Sequence, residues 1–405
     1  MSQASQNTCP ICSSSQWQTF FEVLSVPVFC NILWPEKLAA QRCNRGDLRL
    51  NFCSNCSFIG NIAFDPDHLD YAQTYENALD FSPRFQTYAH SLATQLIEQH
   101  DLHHKTILEI GCGKGEFLLL LCELGDNRGI GFDPTYIPLE EHGWANEKIQ
   151  FIQDYYSEKY IEYQNDFVCC RHTLEHIPQP TQLLNILSNN LKKTIQSQAN
   201  PGIFFEVPNA LDTFSRSAIW DIIYEHCCYF SPVALTYAFS SCGFKVEQVT
   251  EEFQGQFLCL EAHLGEPTTT LTKVQQQQVS QLVQDIKQFT IRFNQTLEIW
   301  QEKLRQFSQN HQKVVLWGAG SKGVTFLNFL KVESSVQSPI EYVVDINPRK
   351  QGMYVAGTGQ KIVSPEFLQE YQPDIVIIMN PIYKDEIQKM LTDLGVQDCS
   401  LTIGF

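Results

Sequence analysis

The sequence predicts an α/β protein with two parallel, doubly wound sheets and a small cysteine-rich unit ahead of them. Three observations predict it. Two stretches, "KTILEIGCGKGEFLLLLCELG" and "KVVLWGAGSKGVTFLNFL", each read as apolar strand, glycine-rich turn and helix. Further apolar runs alternate with helical patterns after each of them, as parallel sheets require. Two CxxC pairs, "CPIC" and "CSNC", stand near the N-terminus.

Composition bounds the rest. The chain has 405 residues, 43% of them apolar and 18% charged, with a formal net charge of −17. Such a length suggests two to four domains. The negative charge disfavours nucleic acid and anionic lipid as partners. "MSQASQNTCP" lacks the basic and apolar regions of a signal peptide, and no run approaches the ~20 apolar residues of a membrane helix. A cytoplasmic chain is therefore expected, with its 15 cysteines mostly reduced.

Four segments follow in order. Residues 1–65 carry Cys9, Cys12, Cys53 and Cys56, which can present four thiolates to one structural Zn2+. Cys30 and Cys43 lie between the pairs and read as free thiols. Residues 66–267 hold the first glycine turn. A helical stretch, "SPRFQTYAHSLATQLIEQH", leads into it, and "GIGFDPTY", "NDFVCC", "QLLNILSNNL" and "GIFFEVPN" continue the alternation. Residues 268–310 are glutamine-rich, yet Leu282, Ile286, Phe289, Phe293, Leu297, Trp300, Leu304 and Phe307 recur at spacings of three and four. That is one stripe of a long amphipathic connector helix. Residues 311–405 repeat the strand, glycine turn and helix, and a strand ending in Asp345 follows. They predict a second, smaller Rossmann-like domain.

The first turn reads GxGxG, with Gly111, Gly113 and Gly115. Glycines are needed where φ is positive or a ligand meets the backbone. Asp133, eighteen residues after Gly115, is placed to accept from two ribose hydroxyls. Glu109 adds negative charge before the turn. A carboxylate there suits a cation better than a pyrophosphate, which prefers an uncluttered helix N-terminus. S-adenosylmethionine (SAM) carries a sulfonium, an ammonium and a ribose, and so fits better than NAD. Asp154, in "FIQDYYS", is a further candidate, for the adenine edge; a surface aspartate in a turn looks the same.

"LEIGCGKGEFL", "GFDP" and "HTLEHIP" together resemble the class I SAM-dependent methyltransferase fold. The order of CxxC…CxxC segment, this domain and a Rossmann-like domain opening on "GAGSKG" is similar to the bacterial sugar C-methyltransferases, over nearly the whole chain. That resemblance implies a nucleotide-linked 4-keto sugar as substrate, methylated at carbon after an enzymic base removes the neighbouring proton. The family often carries Tyr-His-Glu-His followed by an aromatic pair. Here Ile223, Tyr224, Glu225 and His226 precede Cys227, Cys228, Tyr229 and Phe230, so Glu225 and His226 match while Tyr224 stands where the family often has His.

Chemistry points the same way. A histidine is a suitable base near neutral pH, and a carboxylate beside it can orient it. His226 is expected as base, with Glu225 as its partner or as a substrate ligand. The alternative is that Glu225 caps a helix near "SPVALTYAF" while His226 packs. A metal at "EHCC" is not expected, because adjacent cysteines on a strand point to opposite faces. His176, in "LEHIP", is either structural or catalytic, and His172 shares its place. Tyr71 and Tyr75 match a region from which the family sends an aromatic hydroxyl to the active site, and Tyr75 is favoured. Tyr229 is a candidate substrate contact. "GAGSKG" fits GxGxxG with Gly318, Gly320 and Gly323, which read alone says NAD. The resemblance implies instead that Gly320 and Lys322 hold the substrate diphosphate or only pack the domain. O- or N-methylation of a small metabolite is the alternative reaction. A zinc-ribbon protein acting on nucleic acid is the alternative of another class, and the charge opposes it. The oligomeric state is not set by these residues.

Overall fold

The computed structural model describes residues 7–68, 75–137, 148–194, 200–332, 339–396 and 399–404, arranged around three sheets. Tyr71 lies outside the described residues. In the N-terminal sheet β1 (Trp17–Pro27) pairs antiparallel with β2 (Arg45–Cys53), and β2 with β3 (Ile59–Asn61). Leu48 and Leu50 alternate inward from β2, the period-2 pattern of a half-buried strand.

The central sheet starts with five parallel strands: β4 (Thr106–Ile110), β5 (Arg128–Phe132), β6 (Ile149–Ile152), β7 (Phe167–Arg171) and β8 (Gly202–Pro208). Their near-continuous apolar runs suit strands covered on both faces. The chain then leaves this sheet. β9 (Cys228–Tyr229) pairs antiparallel with β3, so the N-terminal sheet takes its outer strand from far along the chain. β10 (Phe244–Glu252) and β11 (Phe257–Leu264) return as a hairpin, β11 lying antiparallel to β8. The resulting order is β10-β11-β8-β7-β4-β5-β6. Strand order reverses at β4, and ligands bind outside the carboxyl ends of the strands at such a point.

The third sheet is wholly parallel, ordered β14-β13-β12-β15-β16 from β12 (Val314–Trp317), β13 (Ile340–Val344), β14 (Lys361–Val363), β15 (Ile375–Ile378) and β16 (Ser400–Ile403). The glutamine-rich stretch is one helix, Lys273–Gln309, opened by a capping box between Thr272 and Gln275. Leu282, Ile286, Phe289, Phe293, Trp300 and Leu304 are buried along it, and Leu297 and Phe307 partly so. This stripe packs in one continuous core with Phe21 and Leu48 of the N-terminal sheet, Leu316 of the third and Phe326 of the helix Ser321–Phe329 beside it. Among the described residues no helix is long and apolar enough to cross a membrane.

Candidate active site

The first glycine turn joins β4 to the helix Glu116–Gly125. Gly111, Gly113 and Gly115 have φ of 71°, 56° and 90°, a left-handed backbone that favours glycine. A Cβ on Gly111 would sit 2.0 Å from Thr173 Oγ1, and one on Gly115 2.5 Å from the Phe151 ring. Gly113 faces open space. Asp133, just past β5, ties the turn down. Its Oδ2 accepts from Gly113 N at 2.9 Å, and its Oδ1 from Thr135 N at 2.8 Å. Asp154, just past β6, is held by Lys159 and by Tyr160, whose hydroxyl donates to it; the Lys159 ammonium helps keep its carboxyl low, at about 2.

Glu109 is 3% exposed, and its Oε2 has no hydrogen-bond partner among the described residues. Burial pushes its carboxyl up to about 8; Arg171 works against this, while Glu116 and Asp133 add to it. A buried carboxyl with an orphaned oxygen beside a glycine turn could hold a cation. Behind it, at the ends of β7 and β8, lies a network that sequence reasoning missed. Arg171 donates to Glu206 Oε1 at 2.8 Å, Tyr88 donates to Glu206 Oε2, and His172 Nε2 lies 2.7 Å from Glu206 Oε1. Burial works to raise the Glu206 carboxyl, but the Arg171 guanidinium, together with His172 and the Tyr88 hydroxyl beside it, outweighs it and holds the group ionised. Arg171 and Glu206 pair directly across neighbouring strands, which no local pattern marks.

The stretch 222–230 crosses the carboxyl edge of the same sheet. His226 and His176 meet edge to face with ring centroids 5.0 Å apart. His176 Nδ1 lies 3.0 Å from the Glu225 carbonyl. A carbonyl only accepts, so Nδ1 carries the proton and Nε2 the lone pair. Burial lowers His176 to about 4 and holds His226 well below the usual histidine range, so both rings are neutral at pH 7.

The Glu225 side chain turns elsewhere. Its Oε2 accepts from Cys30 N at 2.8 Å. Burial raises the carboxyl to about 7, against hydrogen bonds from Cys30 and the Tyr75 side chain. Tyr75 thus joins this carboxylate, fixed by a bridge to Ile32. The carboxylate beside the histidines is Glu175, which has an oxygen within 4.8 Å of nitrogens of both His176 and His226. "LEH" contained it, with no spacing signal to set it apart from a turn residue.

Two other expectations change in structural detail. Glu225 caps no helix, since the helix Pro232–Ser241 is capped by Ser231, whose Oγ accepts from Ala234 N. The Cys227 and Cys228 sulfurs lie 3.9 Å apart rather than on opposite faces, because the strand begins only at Cys228. They still turn from the imidazoles, donating to the Glu175 and Ile177 carbonyls. Tyr224 stacks on Phe64, and its hydroxyl accepts from Asp65 N at 2.9 Å. The Tyr229 hydroxyl donates to Ile223 O at 3.1 Å, closing the loop that carries His226.

The second glycine turn repeats the design of the first. Asp345 Oδ2 accepts from Ala319 N and Oδ1 from Asn347 N, each at 2.8 Å. Gly318 and Gly320 face open space, while Gly323 packs its helix on the strand, with room for no Cβ against Gly318 O. Lys322 pairs with Asp221, on a short turn of the central domain. Glu76, buried, receives Lys114 of the first glycine turn at 2.6 Å and Asn347 of the third-sheet domain at 3.1 Å. One carboxylate therefore joins the first glycine turn to the third-sheet domain.

The CxxC pairs come together at the N-terminal sheet. Cys9 and Cys56 sulfurs lie 3.6 Å apart, and Cys12 and Cys53 sulfurs 3.5 Å. A tetrahedral ion with Zn–S bonds of about 2.3 Å needs sulfurs about 3.8 Å apart, so the four fit one. Cys30 and Cys43 stay outside this cluster.

Comparison with known proteins agrees with this layout. A family model described as "Methyltransferase domain" matches residues 82–249, and one described as "C-methyltransferase C-terminal domain" matches residues 257–403. A curated tRNA U34 carboxymethyltransferase of Aliarcobacter butzleri is 28% identical over 96 residues, which span 22% of this chain and about a third (32%) of that relative. Among solved structures, a putative SAM-dependent methyltransferase of Listeria monocytogenes is 14% identical, covering 44% of this chain and 99% of its own, with a TM-score of 0.31. Magnesium protoporphyrin IX methyltransferase of Synechocystis PCC 6803, with bound SAH, is 15% identical, covering 47% and 89%, with a TM-score of 0.36. Residues 82–249, which carry most of the central sheet, thus match a methyltransferase domain, and residues 257–403, which carry the third sheet, match a C-methyltransferase C-terminal domain.

Proposed function

We propose that the chain methylates a carbon next to a ketone in a nucleotide-linked deoxysugar, with His226 as the base. The observation that carries this reading is the pair of neutral imidazoles, His176 and His226, at the carboxyl edge that also holds the first glycine turn. A base must present a lone pair at working pH, and both rings do. The match to the C-methyltransferase domain supports carbon as the acceptor.

The cofactor site fits SAM. Glu109 would balance its positive charge, Gly113 would admit it against open backbone, and the remaining lone pairs of Asp133 would take ribose hydroxyls. When bound, SAM supplies a methyl group on a cationic sulfur. The chain does the rest: His226 takes a proton from the carbon beside the ketone, Tyr75 and Glu225 line the approach, and the open second glycine turn at Gly320 offers N–H groups to a diphosphate. Because Lys322 is already matched by Asp221, it serves to dock the C-terminal domain beside that turn. A structural Zn2+ on Cys9, Cys12, Cys53 and Cys56 completes the assignment, with no open position for chemistry. The four units proposed are residues 1–65, 66–267, 268–310 and 311–405.

The test uses a dTDP-linked 4-keto-6-deoxyhexose. The enzyme with SAM should add one methyl to carbon, read by mass spectrometry and NMR. Without SAM it should exchange the adjacent C–H with deuterated water. His226→Ala should keep SAM affinity and lose turnover and exchange by ~10²–10⁴-fold. Methylation of the probe at oxygen or nitrogen, with no C–H exchange, refutes the carbon reading.

A further inference from the structure

Glu175 is a buried acid that the proposed reaction leaves unused. It is 1% exposed, on a single turn after β7, and neither carboxylate oxygen has a hydrogen-bond partner among the described residues. An unpartnered buried carboxylate is costly, so its retention needs a reason. The histidines have the complementary problem. Burial makes His226 a weak proton acceptor, because an imidazolium there would be an isolated buried cation.

We propose that Glu175 is the positioning residue of the base: its carboxylate faces the imidazolium that forms when His226 takes the substrate proton, and the proton is shared among Glu175, His176 and His226. This rests on the reading of His226 as base. In the step, the substrate C–H bond breaks and an N–H bond forms on His226. The bonding pair stays on the substrate as an enolate. The cluster passes from one carboxylate with neutral imidazoles to a carboxylate–imidazolium pair of no net charge, and the proton later leaves to solvent. The geometry is in place, with oxygen and nitrogens within 4.8 Å of one another and His176 locked in one tautomer by the Glu225 carbonyl.

Other charges around the cluster are accounted for. From its own turn, His172 Nδ1 lies 3.8 Å from Glu175 Oε1. From β8, Glu206 opposes ionisation of Glu175 but is itself matched by Arg171. The buried thiols Cys170 and Cys228 are raised by Glu175, and Lys322 acts on His226 from the third-sheet domain. Burial raises Glu175 to about 7, against the pull of His172, so the group takes up one proton near neutral pH.

The experiment is ¹⁵N NMR of the full-length protein labelled at histidine, with His176 and His226 assigned by their single Gln variants. The parent should show a chemical-shift step near pH 7 in both neutral rings as the neighbouring Glu175 takes up its proton. In Glu175→Gln that step should be lost, with the fold unchanged by circular dichroism, and Glu175→Asp should restore it. A parent without the step, or a Glu175→Gln variant that keeps it, overturns the inference. Should Glu175→Gln fail to fold, the Glu175 carboxyl ¹³C resonance is followed in His226→Gln; an unchanged midpoint there also overturns it. Absence of C–H exchange in the parent would instead remove the base reading, so the two failures are distinct.

Discussion

Replacing Glu109 with Gln removes a buried titratable carboxyl without changing shape, and its consequence follows from the position of that carboxyl. Burial raises it from 4.5 to about 8. Ionising it in place therefore costs about 5 kcal/mol, at 1.36 kcal/mol per pH unit, an upper figure that relaxation reduces. The sign is fixed by proton binding. Between pH 4.5 and 8 the native state holds a proton that the unfolded chain has lost, so this group's contribution to stability falls as pH rises through that window. Glu109→Gln should flatten the fall and leave the SAM-free protein more stable than the parent at pH 8. SAM, as a cation, should drive the proton off, so parental affinity should rise with pH up to about 8. Calorimetry at pH 7 in two buffers of different ionisation enthalpy counts that proton. The parent should release a substantial fraction of one on binding SAM, and the variant correspondingly less, with weaker affinity. Equal proton counts in parent and variant, with equal pH slopes of unfolding, would refute the assignment of this carboxyl to the cation.

Two further outcomes are expected. Purified protein should contain one zinc per chain by elemental analysis, and Cys9→Ser or Cys56→Ser should lose it together with much of the stability of the N-terminal sheet; metal-free, fully folded protein would remove the ion. Asp133→Ala should weaken SAM by ~1–3 kcal/mol in calorimetry, the scale of a charged hydrogen bond; unchanged affinity would leave Asp133 only its tie to Gly113 N.

Local patterning was enough for the elements. The stripe from Leu282 to Phe307 specifies a helix because its side chains repeat at the helical period whatever they pack on, and Lys273–Gln309 is that helix. The glycines at 111, 113 and 115 announced a turn because few other residues tolerate φ near +60 to +90°, and all three are left-handed. CxxC spacing announced four thiols able to converge, and they do.

What the sequence by itself determined, then, was each unit whose physics is periodic or local. Only the tertiary structure decided which acid faces which base. Glu225 and His226 are adjacent on a stretch with no repeating geometry, so no period sets their directions; the fold sends Glu225 to Cys30 N and Tyr75 and brings Glu175, with its neighbour His176, to His226 from another strand end. The Arg171–Glu206 pair and the Glu76 link from the first glycine turn to the third-sheet domain were equally hidden, because each joins residues whose separation is bridged only by sheet order and domain packing.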